Sequence, residues 1–391
     1  MSSIGQQRAE NPRSSSTPQA STKPPTLVPS CRDVKAALLV EYGRPLEVED
    51  VTPVTPEDDD VVVRMTASAY CYTDCLNQRG MRGLPRTLPT IVGHAAVGVV
   101  EHAGPAVARV REGDHVLVPG TPECGVCFWC RKGRPDQCEH LLAPARPVAH
   151  RADGTPVVTG IGTYAELITI RGTWAFPLDS TLPDTTLTLL GCGITTGVGA
   201  AFNVGLVQPG DTVAVVGCGH LGLWMVQGAK LAGAERIIAV EPLAWRTDVA
   251  LQLGATDVVN PAHADPVEQV RALTEGRGAD VTLEASGPPE GIEQAFAMTR
   301  RAGTAVITGV SSQSASVTLP QTEVAIRGKQ LVSCQMGQTH VMRDVPRYVE
   351  MLEDGRLDAA PIITGIHPLD EINEANEIAA GRNALTGVIV P

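Results

Sequence analysis

Four cysteines of this sequence lie close together and have the spacing of a metal site. Two residues separate Cys124 from Cys127 and Cys127 from Cys130, and Cys138 follows after seven more. Four thiolates in one short segment match the closed tetrahedral ligand set of structural zinc, which leaves no coordination position for a substrate. The alternative is that these are four unrelated buried thiols, but chance rarely produces this spacing. We therefore predict that this segment binds a structural zinc ion.

A second group of potential ligands is dispersed along the chain. Cys71 lies two residues before Thr73, His94 follows a glycine, and Cys192 lies between two glycines. Taken singly, each is as consistent with a core or loop position as with metal binding. Two sulfur ligands and one imidazole, with a fourth position left open, would form a catalytic zinc site. The spacing alone does not decide between these alternatives.

A glycine-rich loop follows an apolar segment and precedes a segment compatible with a helix. Gly217, Gly219 and Gly222 form a Gly-x-Gly-x-x-Gly pattern directly after the apolar residues 212–216. Such glycines allow a tight turn and a close approach of the backbone to a pyrophosphate, which lies at the helix N-terminus. Glu241 ends the next apolar segment, where an acid accepts hydrogen bonds from the adenosine ribose and repels a 2′-phosphate. We predict a dinucleotide site that favours NAD over NADP.

The composition is that of a globular protein, and it excludes several classes of partner. The 391 residues carry a formal net charge of −12 and no run of Lys or Arg, so nucleic acid is not an expected partner. The longest uncharged stretch, between Asp184 and Asp211, is too rich in Gly and Thr for a lipid-facing helix. Ten cysteines without an apolar leader indicate a reducing compartment. We expect a cytoplasmic protein without a membrane segment.

The pattern of apolar residues changes along the chain and predicts an α/β protein. Short apolar runs broken by Gly and Pro dominate residues 34–207 and indicate a β-rich unit. Apolar runs then alternate with helical segments, one of them capped by Asp265 with Pro266 in its first position, which indicates a doubly wound parallel sheet. An amphipathic helix is expected around residues 345–353. Residues 1–33 are rich in Ser, Thr and Pro, and we expect them to form a disordered tail.

Together, these motifs resemble those of the zinc-dependent medium-chain alcohol dehydrogenases. The resemblance runs from Val34 to the C-terminus. It rests on Cys71-x-Thr73-Asp74, Gly93-His94, the four-cysteine segment, residues 191–200, and the glycine loop with Glu241. Residues 130–135 and 191–200 are most similar to the bacterial branch that includes aryl-alcohol and thiol-adduct dehydrogenases.

The resemblance implies two domains with the active site in the cleft between them. A β-rich GroES-like catalytic domain would comprise residues 34–193 and 336–391. A Rossmann domain with a doubly wound parallel sheet would comprise residues 194–335 and bind NAD. The protein is then expected to bind two zinc ions per chain and to form a homodimer or homotetramer.

The resemblance also implies roles for individual residues. Cys71, His94 and Cys192 would hold the catalytic zinc. Asp74 would orient one of these ligands, and Thr73 would accept the proton of the alcohol, while zinc acts as a Lewis acid for hydride transfer to nicotinamide. The residues assigned to cofactor binding are Thr196, Gly217, Gly219, His220, Leu221, Gly222, Glu241 and Arg246. We expect His220 to face the cofactor rather than the substrate.

Five positions depart from the family pattern. Ala95 replaces a Glu that assists ligand exchange at zinc, and Leu76 replaces a His of the proton relay, so the proton would leave through a ribose hydroxyl or water. Tyr72 and Thr386 stand where basic residues often contact the pyrophosphate, which would weaken the attraction for the cofactor. Gly120 stands where a bulky residue is usual. This last departure predicts a roomier pocket and a substrate larger than ethanol.

We therefore expect an NAD-dependent oxidoreductase that acts on an alcohol, or on the matching aldehyde or ketone. The departures leave open a non-dehydrogenase descendant, in which zinc is the Lewis acid of a lyase, isomerase or cyclase and the nucleotide is retained. A cofactor-binding protein without catalysis is a third alternative. Cys75, Cys218 and Cys334 have no ligand set, and we expect them to be small buried apolar residues.

Overall fold

Three β-sheets and eleven α-helices make up residues 32–81 and 87–391, the part of the chain that the computed structural model describes. The predicted tail, residues 1–33, lies almost entirely outside this part. The helices are α1 (Tyr72–Gln78), α2 (Phe128–Arg131), α3 (Asp184–Leu187), α4 (Gly193–Gly199), α5 (His220–Leu231), α6 (Ala244–Leu253), α7 (Pro266–Leu273), α8 (Pro289–Met298), α9 (Gln321–Ala325), α10 (Val341–Glu353) and α11 (Ile372–Ala380). None of these helices is by itself long and apolar enough to cross a membrane; only the bent pair 184–191 and 193–204 meets both requirements together.

Two of the sheets are mainly antiparallel. The strands of the described chain are β1 (Val34–Leu39), β2 (Glu47–Pro53), β3 (Asp60–Tyr70), β4 (Thr90–Ile91), β5 (Ala96–Ala103), β6 (His115–Val118), β7 (Arg146–His150), β8 (Pro156–Thr159), β9 (Leu167–Arg171), β10 (Phe176–Pro177), β11 (Thr212–Val216), β12 (Arg236–Val240), β13 (Asp257–Val259), β14 (Ala279–Glu284), β15 (Thr299–Ile307), β16 (Gln330–Ser333), β17 (Ile363–Pro368) and β18 (Thr386–Val390). One sheet has the order β4-β1-β2-β7-β8. The other has the order β10-β6-β5-β3-β18-β17, and β9 pairs with β3 beside it.

The third sheet is parallel throughout and has the order β13-β12-β11-β14-β15-β16. This is the doubly wound order, in which the chain leaves β11 in one direction and returns to its other side at β14. Strands β11 and β12 are apolar and buried after their first residue, as expected for strands covered on both faces. The predicted fold class, a β-rich unit combined with a Rossmann-type sheet, is therefore confirmed.

The end of the chain returns to the antiparallel part. Strand β18 pairs in parallel with β17 and antiparallel with β3, so that Val388 lies opposite Ala69. Strand β3 leads directly into Cys71 and α1. The last strands of the chain therefore support the strand that carries the first candidate metal ligand.

One apolar cluster joins the antiparallel and parallel parts. It includes Ala67 and Leu117 from the antiparallel sheet, together with Val213 of β11 and Leu223 of α5, and all four are completely buried. Because the cluster is continuous, the elements that carry the two predicted sites are packed against each other. Burial of aliphatic side chains on this scale is the main stabilising contribution to such a fold.

Two helix starts test the expectations from the sequence. The carboxylate of Asp265 accepts hydrogen bonds from the backbone N–H groups of Val267 and Glu268, and Pro266 is the first residue of α7, as predicted. Helix α10 begins at Val341, about one turn before the expected start. Two acids bond the backbone at this start: Glu123 accepts a hydrogen bond of 2.8 Å from the N–H of Val341, and Asp344 accepts one of 3.0 Å from the N–H of His340.

Candidate active site and metal-binding centres

The three dispersed ligands converge in the folded chain. Cys71 is the N-cap residue of α1, His94 lies in the turn between β4 and β5, and Cys192 is the N-cap residue of α4. Their potential ligand atoms all lie within 4.8 Å of one another. Two thiols and one imidazole at this separation can hold a zinc ion and leave one coordination position open.

Asp74 fixes the orientation of His94. The Nδ1 atom of His94 donates a hydrogen bond of 3.0 Å to Oδ1 of Asp74, and the carboxylate side chain is only 3% exposed. Burial lowers the pKa of His94, but the charge and hydrogen bond of Asp74, together with the Cys71 thiol, outweigh it and raise the pKa to about 10. With Nδ1 engaged, Nε2 is the nitrogen left for a metal, which is the usual arrangement of a metal-binding histidine.

Tyr164 is a further part of this arrangement that the sequence did not reveal. Its hydroxyl donates a hydrogen bond of 2.7 Å to Oδ2 of Asp74, and its ring is completely buried and stacks on Tyr70 at 5.6 Å. Gly93, with a φ of +93°, lies against this ring, and a Cβ atom there would be 3.0 Å from it. Because Tyr164 is far from Asp74 and His94 in the sequence, no local pattern indicates this contact.

The four cysteines of the second group also come together. Their Sγ atoms all lie within 4.8 Å of one another; the Cys124–Cys130 pair is 3.9 Å apart and the Cys127–Cys138 pair 4.0 Å. A zinc ion with four bonds of about 2.3 Å to sulfur requires sulfur–sulfur distances of about 3.8 Å. The spacing therefore fits a tetrahedral zinc ion.

The four-cysteine segment is connected to the rest of the fold by polar contacts. Arg109 donates a hydrogen bond of 2.7 Å to the backbone carbonyl of Glu123, next to Cys124, and its guanidinium lies 4.4 Å from the centre of the Phe176 ring. Phe128 and Trp129 pack edge to face at 5.1 Å, and both are exposed.

The glycine loop has the geometry that a pyrophosphate requires. Gly217 has a φ of +87°, and a Cβ atom on it would lie 2.9 Å from Ser286. A Cβ atom on Gly222 would overlap with the backbone carbonyl of Gly217. Gly219 is the N-cap residue of α5 and has no side chain to cap the helix. The first backbone N–H groups of α5 are therefore left for an anion.

Two charged residues flank this loop. Glu241 is 3% exposed; its Oε2 accepts a hydrogen bond of 2.8 Å from the backbone N–H of Cys218, and its Oε1 accepts one of 3.1 Å from Leu243. Arg246 donates to the backbone carbonyls of Arg382 and Ala384, at 3.0 and 3.3 Å. Its buried Nε atom has no hydrogen-bond partner among residues 32–81 and 87–391. The unpartnered nitrogen fits a cofactor oxygen.

His220 lies closer to the candidate zinc site than a loop position suggests. Its imidazole packs so tightly on Gly193, the neighbour of Cys192, that a Cβ atom there would overlap with it. Its Nδ1 atom is buried and lacks a hydrogen-bond partner in the described chain. Burial lowers the pKa of His220 and so favours the neutral imidazole. Its role toward a cofactor stays a prediction.

A cavity of about 710 Å³ connects the candidate zinc site with the glycine loop. Its wall includes all three dispersed ligands, Thr73 and Thr196, as well as His220 and Leu221. Gly120 also lines it, but the side chain of Met336 lies 3.3 Å from the position that a Cβ atom of residue 120 would take. Part of the space expected from Gly120 is thus used by Met336, and the substrate size stays a prediction.

The structure shows where the other four residues that depart from the family pattern lie. Ala95 and Leu76 are buried and apolar, Tyr72 is 43% exposed, and Thr386 is buried and donates a hydrogen bond of 3.0 Å to the carbonyl of Tyr70. Cys75, Cys218 and Cys334 are buried free thiols, as expected.

Two more residues of the site were not predicted. Asn77, on α1 one turn after Thr73, lines the cavity, and its side chain has no hydrogen-bond partner in the described residues.

Glu284 is completely buried at the end of β14 and accepts hydrogen bonds from the backbone N–H groups of Ser286, Gly287 and Gly309, at 2.7 to 3.0 Å. It thereby holds the loops beside Gly217. The sequence did carry one signal for Glu284, because it is an acid at the carboxyl end of a parallel strand.

Comparisons with known proteins agree with this geometry. Residues 57–184 match the alcohol dehydrogenase GroES-like domain, and residues 221–354 match the zinc-binding dehydrogenase domain. The S-(hydroxymethyl)glutathione dehydrogenase of Synechocystis sp. is 32% identical over 91% of this chain and 99% of its own. Two solved structures each cover 92% of this chain and 99% of their own: an alcohol dehydrogenase zinc-binding domain protein from Burkholderia ambifaria (29% identity, TM-score 0.87) and a benzyl alcohol dehydrogenase from Acinetobacter calcoaceticus (27%, 0.84).

Replacing Tyr164 by Phe tests its contact with Asp74. The substitution removes one hydrogen bond from the carboxylate that orients His94, so we expect metal at Cys71, His94 and Cys192 to be bound about tenfold more weakly. The rate at which a chromophoric chelator removes zinc measures this change. Tyr70→Phe is the matched control, because the Tyr70 hydroxyl donates to Asn376 instead. Equal release rates for both variants and the unchanged protein would contradict the role of Tyr164.

Replacing Cys130 by Ser tests the second centre. A tetrahedral site that loses one of four thiolates binds zinc much more weakly, so we expect one equivalent of zinc per chain to be lost and residues 124–138 to become more sensitive to protease. Elemental analysis and limited proteolysis measure these changes. Cys75→Ala, which removes a buried thiol outside both groups, should retain all the zinc. Unchanged zinc content in Cys130→Ser would exclude the four-cysteine site.

Proposed function

This chain belongs to the family of zinc-dependent alcohol dehydrogenases and is an oxidoreductase of alcohols and aldehydes, and we propose that it transfers hydride between an alcohol larger than ethanol and NAD. The observation that carries this proposal is one cavity whose wall contains both the Cys71, His94 and Cys192 ligand set and residues of the glycine loop. A substrate bound at a metal in the first group would therefore lie in the same cavity as a nicotinamide bound at the loop.

We assign the two domains on the same basis. Residues 34–193 and 336–391 would form the catalytic domain, which is supported by the antiparallel strands β1 to β10, β17 and β18 within these ranges. Residues 194–335 would form the NAD-binding domain, which is supported by the parallel strands β11 to β16. Each chain would bind two zinc ions and one NAD, and the protein would be a homodimer or homotetramer.

The residues of the cavity divide the reaction between them. When bound, zinc supplies a Lewis acid and NAD a hydride acceptor. Cys71, His94 and Cys192 would hold the metal, and Asp74 keeps the imidazole of His94 in the required orientation. The hydroxyl of Thr73 accepts the proton of the alcohol. Leu76 offers no group that could continue a relay, so the proton would pass from Thr73 to water or to a ribose hydroxyl of a bound cofactor.

The glycine loop and its flanking residues would bind the cofactor. The free backbone N–H groups at the start of α5 suit the pyrophosphate, and the nearby guanidinium of Arg246 supplies a positive charge in place of the ones missing at positions 72 and 386. Thr196, His220 and Leu221 would line the nicotinamide end. Glu241 would accept hydrogen bonds from the adenosine ribose, since each carboxylate oxygen can accept more than one bond.

A direct assay tests the proposed reaction. The purified protein is analysed for zinc and nucleotide and then mixed with NAD and a panel of aliphatic, allylic and aromatic alcohols while nicotinamide absorbance is followed. We expect two zinc ions per chain and measurable NAD reduction. Cys192→Ser should lower kcat/KM about a thousandfold, because the Lewis acid contributes several kcal/mol to transition-state stabilisation. Cys75→Ala serves as the control.

Two results would contradict this proposal and support an alternative. Turnover of a substrate without any change in nicotinamide redox state would indicate a zinc-dependent lyase, isomerase or cyclase with a retained nucleotide. Retention of every measurable function in Cys192→Ser would indicate a cofactor-binding protein without catalysis.

Replacing Glu241 by Gln tests the cofactor preference. The carboxylate repels a 2′-phosphate, so we expect the unchanged protein to prefer NAD and the variant to lose about tenfold or more of the NAD to NADP ratio in kcat/KM, mainly through KM. Glu235→Gln is the control, because it changes the same charge at an exposed position before β12. An unaltered ratio in Glu241→Gln would show that another residue selects the cofactor.

A further inference from the structure

Met336 lies against the glycine that stands in place of a bulky residue in the cavity wall. Its Sδ and Cε atoms are both 3.3 Å from the position that a Cβ atom of Gly120 would take, and Cδ2 of His94 is 3.5 Å from the same point. Met336 is half-buried and, like Gly120 and His94, lines the cavity. The thioether and a candidate metal ligand therefore border the same small space.

The backbone at Met336 has a conformation that residues with a side chain rarely adopt. Met336, Gly337 and Gln338 have φ angles of +46°, +63° and +47°, so three consecutive residues lie in the left-handed region. Glycine enters this region without a steric cost, but Met336 and Gln338 carry a Cβ atom and do not. Such a conformation persists only where the surrounding structure determines it. The segment 336–338 therefore depends on contacts that hold it in place.

Helix α4 and the residues just after it provide these contacts. The side chain of Asn203 donates a hydrogen bond of 3.0 Å to the carbonyl of Gly337, and the hydroxyl of Thr339 donates one of 3.0 Å to the carbonyl of Thr195. Gly337 packs so closely on α4 that a Cβ atom on it would overlap with the Thr195 carbonyl. Because Cys192 is the N-cap residue of α4, the same helix positions the segment 336–338 and a candidate metal ligand.

The side chain of Met336 is oriented by α4 as well. The hydroxyl of Thr196 donates a hydrogen bond of 3.6 Å to its Sδ atom. A thioether is a weak acceptor and methionine has several rotatable bonds, so this part of the wall is apolar and adaptable. With no side chain at Gly120, the residue at position 336 decides how much space lies beside His94.

We propose that Met336 is the specificity-determining residue beside the reacting carbon, and that its side chain restricts the cavity to primary alcohols and the matching aldehydes. This inference rests on the proposed function, since it assigns the substrate class of the same cavity. The reacting carbon of a primary alcohol carries one carbon substituent, whereas that of a secondary alcohol carries two. The Met336 thioether occupies the space that the second substituent would need.

Pairs of alcohols that differ by one methyl group at the reacting carbon test the proposal. The protein is assayed with NAD and benzyl alcohol or its α-methyl derivative, and likewise with a straight-chain primary alcohol and its α-methyl derivative. We expect the unchanged protein to prefer the primary alcohol of each pair. Met336→Ala should raise the ratio of secondary to primary kcat/KM by about tenfold to a hundredfold, within the range for one methyl group in an apolar pocket. Alanine retains the Cβ atom, so the steric cost of the backbone at position 336 stays the same.

A second variant returns the wall to position 120. Gly120→Leu places a branched side chain where the Met336 thioether lies, so by itself it should lower kcat/KM for every alcohol, because the two side chains overlap. In the Met336→Ala background, Gly120→Leu should instead restore the low ratio of secondary to primary kcat/KM. Met342→Ala is the matched control and should leave the ratio unchanged, since Met342 is 50% exposed on α10 and outside the cavity wall. Calorimetric titration of each alcohol into each protein without NAD gives the same comparison without turnover.

The possible outcomes separate this proposal from the proposed function. Oxidation of primary alcohols with the same secondary to primary ratio in Met336→Ala as in the unchanged protein would overturn the role of Met336 and leave the dehydrogenase intact. A ratio near one or above in the unchanged protein would also overturn it. A Met336-dependent preference for binding primary alcohols, without oxidation of any alcohol, would support the role of Met336 and contradict the proposed function.

Discussion

The buried carboxylate of Asp74 is the charge on which the candidate active site depends. A carboxylate removed from water is strongly destabilising unless its oxygens accept hydrogen bonds. Here the donors are the imidazole of His94, the hydroxyl of Tyr164 and the backbone N–H of Cys71. They come from three separate segments, so the carboxylate is satisfied only when strand β3, the β4–β5 turn and the segment before β9 have assembled. The orientation of Cys71 and His94, two of the three candidate metal ligands, therefore depends on the assembled β-rich part.

The features that could be predicted from the sequence are those whose chemistry is local. The four-cysteine segment was recognisable because all its ligands lie within one short stretch, and the glycine loop because strand, turn and helix follow one another directly. The doubly wound sheet was predictable from continuous apolar runs alternating with helical segments. The dispersed ligands Cys71, His94 and Cys192 could not be grouped by spacing, and only the family resemblance joined them.

What the sequence could not provide are contacts made by tertiary structure. Tyr164 reaches Asp74 because β3 and β9 are neighbours, and the first N–H group of α10 is bonded by Glu123, more than two hundred residues away. Met336 likewise occupies space beside Gly120 only after the two parts of the chain pack together. In each case, the side chain type is ordinary and its effect comes from the partner that the fold supplies.

The hydrogen bonds of Glu241 have a consequence for how the proposed cofactor would bind. Its carboxylate already holds the backbone of Cys218, in the middle of the glycine loop, and the backbone of Leu243 beyond β12. Glu284 fixes the adjoining loops in a similar way. A loop that is held in its turn before any ligand arrives loses little further conformational entropy on association. Binding of the proposed dinucleotide would therefore require little change in the conformation of this loop.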